Sequence, residues 1–499
     1  MQVKSMQVKR QANSVKTDAA VATNTESETI TADICVIGGG PGGLSVAAAG
    51  AAFGRKVVLI ERHKMGGDCL NYGCIPSKAL LAAGKRAHAM RTSAVFGISG
   101  IDPEIDPRAV HDHVHGVIAA IAPNDSVERF TGLGVRVIRA AARFIDKSTV
   151  IAGEYRIKAR RFVLATGSAP LVPPIPGLDS VPYFTNETIF DNQQRLHDLI
   201  VIGAGPIGLE LAQAHHRLGS RVTVLEAAKA LANEDPELSK VVLELLAAEG
   251  INVHEGTTVE RVESSLGRVR VHVSLNGEKH VVEGSHLLLA AGRRPTTSDL
   301  GLEAARIRYD NSGIKVNAGL KTSNRRVFAI GDCTGGPQFT HVADYHAGLV
   351  IRRILFRRPA RVDAGILPRV TFTDPELAHV GLSEAEAAKS AGKINVLRWP
   401  YHENDRARAE HKTVGHIKVV TAKNGSILGA TIVGAEAGEL IQMWALAISQ
   451  KLNLKAMSEW ISPFPTLGEI NKSVAEGYYA TAPSETRVRK VIGFLARFG

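Results

Sequence analysis

Cys69 and Cys74 stand four residues apart and run directly into Ile75-Pro76-Ser77-Lys78. Alone, a Cys-x4-Cys pair reads as half of a metal site, a structural bridge or coincidence. Its neighbourhood narrows the choice. Just upstream lies Gly38-Gly39-Gly40-Pro41-Gly42-Gly43. In such a turn the backbone can approach a pyrophosphate, which sits in the partial positive field at the following helix's N-terminus. Two thiols one βαβ unit beyond that turn are placed to exchange electrons with a bound cofactor.

The elements that must position this chemistry occur twice. Ala32-Asp-Ile-Cys-Val-Ile-Gly-Gly-Gly-Pro-Gly-Gly43 is echoed by Leu199-Ile-Val-Ile-Gly-Ala-Gly-Pro-Ile-Gly208. Each copy has a β-branched run of the buried parallel-strand type, a tight Gly turn and an Ala-rich helix. A second strand then ends in an acid, Glu61 in one copy and Glu226 in the other. The last Gly precedes its acid by eighteen residues in both copies, which suits a dinucleotide fold where the acid bonds a ribose hydroxyl. Two nucleotide sites are therefore expected. Arg161-Phe-Val-Leu-Ala-Thr-Gly167 and His286-Leu-Leu-Leu-Ala-Ala-Gly292 read as apolar strands ending in small residues, able to pass close to a flat cofactor. Val327-Phe-Ala-Ile-Gly-Asp332 is another. Beyond about residue 362, alternating strands and the helical stretch Glu439–Gln450 indicate an α+β domain.

Bulk properties agree with a multidomain enzyme. A chain of 499 residues is too long for one core and should divide into about three or four domains. Its 44% hydrophobic and 22% charged content is ordinary for a soluble enzyme, and no apolar run approaches the ~20 residues needed to cross a bilayer. Four cysteines are too few for a secreted disulfide scaffold, so the paired ones read as catalytic in a reducing cytoplasm. Cys35 and Cys333 read as small core residues. The net charge of +11 is spread out, with local clusters at Arg352–Arg361 and Arg487–Arg497. It reads as a solvated basic surface, and no nucleic-acid partner is expected. Residues 1–31 are polar and read as a disordered tail. The basic, amphipathic segment 485–499 is expected to dock on its own domain, without membrane contact.

Taken in order, these landmarks resemble the class I pyridine nucleotide–disulfide oxidoreductases, the flavoenzymes that include lipoamide dehydrogenase, glutathione reductase and mercuric reductase. The resemblance runs from about Ala32 to Tyr479. It rests on both Gly clusters with their acids, Cys69-x4-Cys74, Ala165-Thr-Gly167, Gly292-Arg-Arg-Pro-Thr296 and Ala329-Ile-Gly-Asp332. It implies an α/β fold with two Rossmann-like dinucleotide-binding domains and a C-terminal α+β dimerisation domain. The expected divisions are a tail (1–31), an FAD domain in two parts (32–177 and 296–362), an NAD domain (178–295), an interface domain (363–484) and a basic tail (485–499).

By that resemblance, Gly38, Gly40, Gly43, Glu61, Gly67, Lys78, Thr166, Gly167, Asp332 and His341 would hold FAD. Gly203, Gly205, Gly208, Glu226 and Gly292 would hold the nicotinamide nucleotide. Cys69 would be the outer, substrate-facing thiol and Cys74 the inner one, with Lys78 and Glu210 as the ion pair beside the flavin. The implied activity is FAD-dependent dithiol–disulfide exchange in a homodimer, similar to dihydrolipoamide dehydrogenase. Glu226 favours NAD(H), because an acid there accepts ribose hydroxyls and repels a 2′-phosphate.

One position departs from the family. Lipoamide dehydrogenase and glutathione reductase use a His in a His-Pro-Thr-x-x-Glu segment as proton relay. Here the run is Phe464-Pro465-Thr466-Leu467-Gly468-Glu469. A phenyl ring relays no protons. Either Glu469, Tyr401 or His402 takes the role, or the substrate needs little proton transfer, as a metal ion or quinone would. Mercuric reductase also has an aromatic residue there, but its C-terminal cysteine pair is missing, since no Cys follows Cys333. His111 and His115 would share a helix face with helical spacing, and His113 lies between them. They are expected to form a polar face without metal.

Overall fold

The computed structural model describes residues 28–479 and 486–498. The first sheet has parallel strands Val135–Arg139, Val57–Glu61, Glu28–Ile37 and Tyr155–Leu164, extended by Thr149–Ala152 and Ala142–Phe144. Val327–Ala329 pairs in parallel with Tyr155–Leu164, so a strand from late in the chain completes the early sheet. Every residue of Val57-Val-Leu-Ile-Glu61 is buried, which is why the run carries no polar alternation.

Between those two parts lies the second copy. Asn252–His254, Arg221–Leu225, Asp198–Ile202 and His286–Leu289 form a parallel sheet, flanked by an antiparallel sheet spanning Thr257–Gly284. The last unit is a five-stranded antiparallel sheet covered by the helix Ala437–Ser449. Trp444 on that helix is fully buried, and its indole N–H donates to Asn471 Oδ1 at 2.8 Å.

Charged clamps join the units. Arg217 pairs with Glu249 at 2.6 Å and with Asp374 at 2.9 Å. Lys418, only 5% exposed, reaches Asp235 at 2.8 Å, Glu237 at 3.0 Å and Glu384 at 2.6 Å. Burying an ammonium is tolerable only with such partners, so this cluster fixes the interface domain against the second nucleotide unit.

Two expectations need correction. The N-terminal tail does not extend to residue 31: Glu28 to Thr31 already pair with Tyr155 to Lys158, and Ile30 is buried there. Residues 1–27 lie outside the described residues. The helix Thr486–Leu495 forms, yet Val491, Ile492 and Leu495 are more than half exposed. It therefore does not bury its apolar face on its own domain. Among the described residues no helix is long and apolar enough to cross a membrane.

Candidate active site

The two Gly turns are twins to the level of single atoms. A Cβ on Gly43 would stand 1.9 Å from Gly38 O, and one on Gly208 would stand 2.0 Å from Gly203 O. Gly38 and Gly203 have φ of +111° and +110°, and a Cβ on either would strike the carbonyl of Ala165 or Ala290. That is the physical reason both positions must be glycine. Both following helices begin with Pro at their first turn and have no side-chain cap, leaving their N-terminal amides for an anion.

The acids close each turn in the same way. Glu61 accepts from Gly39 N at 2.6 Å and from His63 N at 2.7 Å. Glu226 accepts from Ala204 N and Ala228 N, both at 2.8 Å. Gly67 comes up against the first turn, where a Cβ would lie 2.7 Å from Gly40 Cα. A cradle this closely lined by backbone fits the pyrophosphate of FAD at the first turn and of a nicotinamide nucleotide at the second.

Cys74 opens the helix Cys74–Arg91, with Cys69 on the short helix before it. Both are free thiols. Cys74 Sγ lies 3.3 Å from Thr340 Oγ1. The Cys74 thiol is pulled down to about 6: a hydrogen bond from Cys69 and another from Thr340, with the charge of Lys78, outweigh the opposing effect of burial. The same thiol–thiol bond and burial push Cys69 up. The pair is thus polarised, with the anion on Cys74. By contrast, Cys35 and Cys333 are fully buried, and burial raises both thiols.

Three units converge on Lys78. Its Nζ is 2.7 Å from Glu210 Oε2 and 4.2 Å from the Phe372 ring centroid. Glu210 Oε1 accepts from Phe372 N at 2.9 Å. A polar chain approaches from the other side. Asp68 pairs with Arg293 at 3.2 Å, Arg293 Nε donates to Ser168 Oγ at 2.7 Å, and Ser168 Oγ donates to Asp332 Oδ2 at 2.6 Å. Burial raises the Asp332 carboxyl, and the Ser168 hydrogen bond opposes the rise. Thr166 Oγ1 donates to Thr296 O at 2.8 Å, tying the first strand end to the second.

The remaining candidates are not gathered here. His341 Nε2 donates to Pro368 O at 2.7 Å. Glu469 Oε2 accepts from Thr466 N at 3.3 Å within the interface domain. Phe464 is 72% exposed. Tyr401 is ruled out as a relay, because it is fully buried and its hydroxyl donates to Ala435 O at 2.8 Å. The His111 and His115 rings are tilted by 35° with centroids 4.2 Å apart, and His115 Nε2 lies 3.1 Å from Phe190 O. Among the described residues no group of three or more His, Cys, Asp or Glu is arranged to hold a metal ion.

Sequence reasoning missed Thr340, Phe372, Ser168 and Asp68. Asp68 and Ser168 sit inside or beside recognised motifs. A lone Thr or Phe some 300 residues from the cysteines gives no signal before folding.

Residues 32–347 match the family described as pyridine nucleotide-disulphide oxidoreductase, and residues 367–475 match the dimerisation domain of the same family. A mercuric reductase of Bacillus cereus is 35% identical over 440 residues, covering 88% of this chain and 70% of its own length. A dihydrolipoyl dehydrogenase of Geobacillus stearothermophilus is 34% identical over 468 residues, covering 90% of this chain and 96% of its own. Among solved structures, the Cu(II) complex of the HOCl-induced flavoprotein disulfide reductase RclA from Escherichia coli superposes with a TM-score of 0.80. It is 26% identical and covers 89% of this chain and 99% of that one.

Proposed function

The chain belongs to the pyridine nucleotide-disulphide oxidoreductase family and is an FAD-dependent, NAD(P)H-linked oxidoreductase with a dimerisation domain; from that premise we propose how its own residues divide the work. Gly38, Gly40, Gly43, Gly67, Glu61, Thr166, Gly167, Asp332 and His341 hold FAD, and Gly203, Gly205, Gly208, Gly292 and Glu226 hold NADH. The division into units follows the boundaries given by the resemblance, with the first strand starting at Glu28. When bound, FAD supplies two-electron exchange between the nicotinamide and the sulfur pair. A reducing compartment such as the cytoplasm suits an enzyme cycling through free thiols.

NADH is preferred to NADPH. Glu226 puts a negative charge where a 2′-phosphate would sit, and the nearby cation Lys229 is held by Glu255 at 2.7 Å. Nothing in that arrangement offers the phosphate a counter-charge.

The polarised Cys69–Cys74 pair supports the oxidoreductase chemistry. Thr340 donates to the Cys74 sulfur while Lys78 steadies its negative charge, and Glu210 holds Lys78 in place. Cys69 retains its proton until it delivers electrons outward. Against a disulfide, Cys69 would pass its proton to the Cys74 thiolate and attack one sulfur, releasing the other as thiolate; that proton would go on to the released thiolate, and Cys74 would then attack Cys69, freeing the second product as thiolate and closing the Cys69–Cys74 bond. The second released thiolate needs a further proton donor, and Phe464 cannot be one.

The acceptor this site serves best is therefore one that takes electrons with little help from a protein proton relay: a thiophilic metal ion, or a quinone whose two protons come from solvent. Phe464 is the observation that carries this choice, since general acid–base help is worth about 10²–10⁴-fold. The likeness to mercuric reductases and to the Cu(II)-bound neighbour supports it. Lipoamide is the second reading, supported by the nearly end-to-end likeness to dihydrolipoyl dehydrogenases, with Glu469 of the partner subunit as the relay.

One assay separates the two. The purified flavoprotein is given NADH with Hg²⁺, Cu²⁺, a quinone or lipoamide, alongside Phe464→His. Metal or quinone turnover in the native protein, with lipoamide turnover appearing only after the swap, is the expected outcome. Strong native lipoamide turnover that the swap leaves unchanged would replace this reading with the second.

A further inference from the structure

Three arginines of the basic run Arg352–Arg361 line a surface pocket. Arg161 on the strand Tyr155–Leu164, Lys321, and Arg353, Arg357 and Arg358 line a cavity of about 290 Å³, with Phe328 and Pro359. Arg353 lies in the last turn of the helix Thr340–Leu355, and Arg357 and Arg358 follow that helix. Among the described residues, none of the five cations forms an ion pair. Five positive charges sharing one concavity without a carboxylate is an arrangement that folding alone disfavours.

Individual groups show the same imbalance. Arg353 Nη1 donates to Ala360 O at 3.0 Å, but its Nε is buried with no acceptor. Arg357 takes φ of +52°, the left-handed backbone that usually falls to Gly or Asn after a helix. Arg161 is pulled down by burial first and then by Arg326, Arg357 and Arg160; Lys321 is pulled down by burial and then by Arg161, Arg353 and Arg325. Cations at a helix C-terminus offset its partial negative charge, which accounts for Arg352 and Arg353. It does not account for Arg161 and Lys321, which come from other segments and converge on the same space.

We propose that this cavity binds a compact anion carrying two or more phosphate groups. Guanidinium forks bond phosphate oxygens two at a time, and Arg161, Arg353, Arg357 and Arg358 bring four of them to one space. A concavity of about 290 Å³ suits a short polyphosphate; a long nucleic-acid backbone would need an extended basic stripe. The site is separate from the redox centre. Thr340 and Arg353 lie at opposite ends of one helix, about 20 Å apart at 1.5 Å per residue.

The experiment is calorimetric titration of the FAD-bound protein with tripolyphosphate and with a nucleoside triphosphate, at 0.1–0.2 M salt. Arg161→Gln/Arg357→Gln is titrated in parallel, with its NADH turnover and melting temperature checked as unchanged. Saturable binding that weakens by about tenfold or more in the double variant is expected. Equal affinity for both probes identifies the phosphate chain alone as the ligand chemistry, and tighter nucleotide binding adds a base contact near Phe328. No binding beyond that of chloride at matched ionic strength, or binding unchanged in the variant, overturns the proposal.

Discussion

Lys78 and Glu210 meet at 2.7 Å although 132 residues separate them, and the backbone amide of Phe372 closes the same carboxylate from a third unit. Removing the carboxylate strands a cation and a buried N–H together. Glu210→Ala is expected to cost on the order of 2–3 kcal/mol, with Lys78 partly exposed and so below the full buried-pair penalty. Glu210→Gln keeps the bond to Phe372 and should cost about 1 kcal/mol. Urea unfolding of the two variants measures both; equal losses would mean that the Phe372 bond contributes nothing.

Thiolate chemistry gives a pH prediction. Ultraviolet thiolate absorbance of the reduced protein should titrate with a midpoint near the value of about 6 set for Cys74. Hydrogen bonds to the anion lower an acid's pKa, so deleting a donor must raise it. Cys69→Ala should move the midpoint up, and Thr340→Val should move it up less, following the order in which these bonds act. A midpoint that stays put in Cys69→Ala would refute the polarised pair.

The twin turns can be separated by one methyl group each. Gly43→Ala places a Cβ 1.9 Å from Gly38 O and should yield colourless protein, without flavin. Gly208→Ala makes the same clash at Gly203 O and should stay yellow, with NADH turnover lowered about 10²-fold by misplacement of the nucleotide. Visible spectra and stopped-flow mixing with NADH report the two outcomes. A yellow Gly43→Ala protein would contradict the assignment of the first turn.

Cofactor choice rests on Glu226. Glu226→Arg should lower kcat/KM for NADH by about tenfold or more, through loss of the ribose bonds and of the turn amides it now holds. The NADPH to NADH preference should rise at the same time. Steady-state kinetics with both nucleotides decide it, and a native protein that already favours NADPH would defeat the assignment.

Acid stability should reveal the clamp around Lys418. Hydrogen bonds from Arg398 first, and then from Lys418, hold the Glu237 carboxyl down at about 2, against an ordinary 4.5. The unfolded chain therefore takes up this proton first as pH falls. The contribution of Glu237 is complete above about pH 4.5 and disappears between there and pH 2. Urea midpoints of native protein and Glu237→Gln should differ at pH 7, draw together below about pH 4.5 and converge only near pH 2. A gap that is constant with pH would show that the pairing is not ionic.

Much of this was legible before folding, because it is local. Strand, Gly turn and acid lie within some thirty residues of each other, and their geometry is forced by backbone contacts that only glycine permits. Two such units and the Cys69–Cys74 pair therefore declared two nucleotide sites and a dithiol beside a cofactor, and the flavin came from the family resemblance. Phe464 showed just as directly that the family's relay histidine is replaced.

Contacts between distant segments could not be read that way. Thr340 reaches Cys74, Phe372 closes on Glu210, and Ser168 links Arg293 to Asp332 only because three sheets dock at one place. The basic run Arg352–Arg361 looked like solvated surface for the same reason: Arg161 and Lys321 join it through strand packing, not through sequence proximity. Local chemistry is written in adjacent residues, whereas charge convergence depends on which elements share a face, and that is settled when the cores pack.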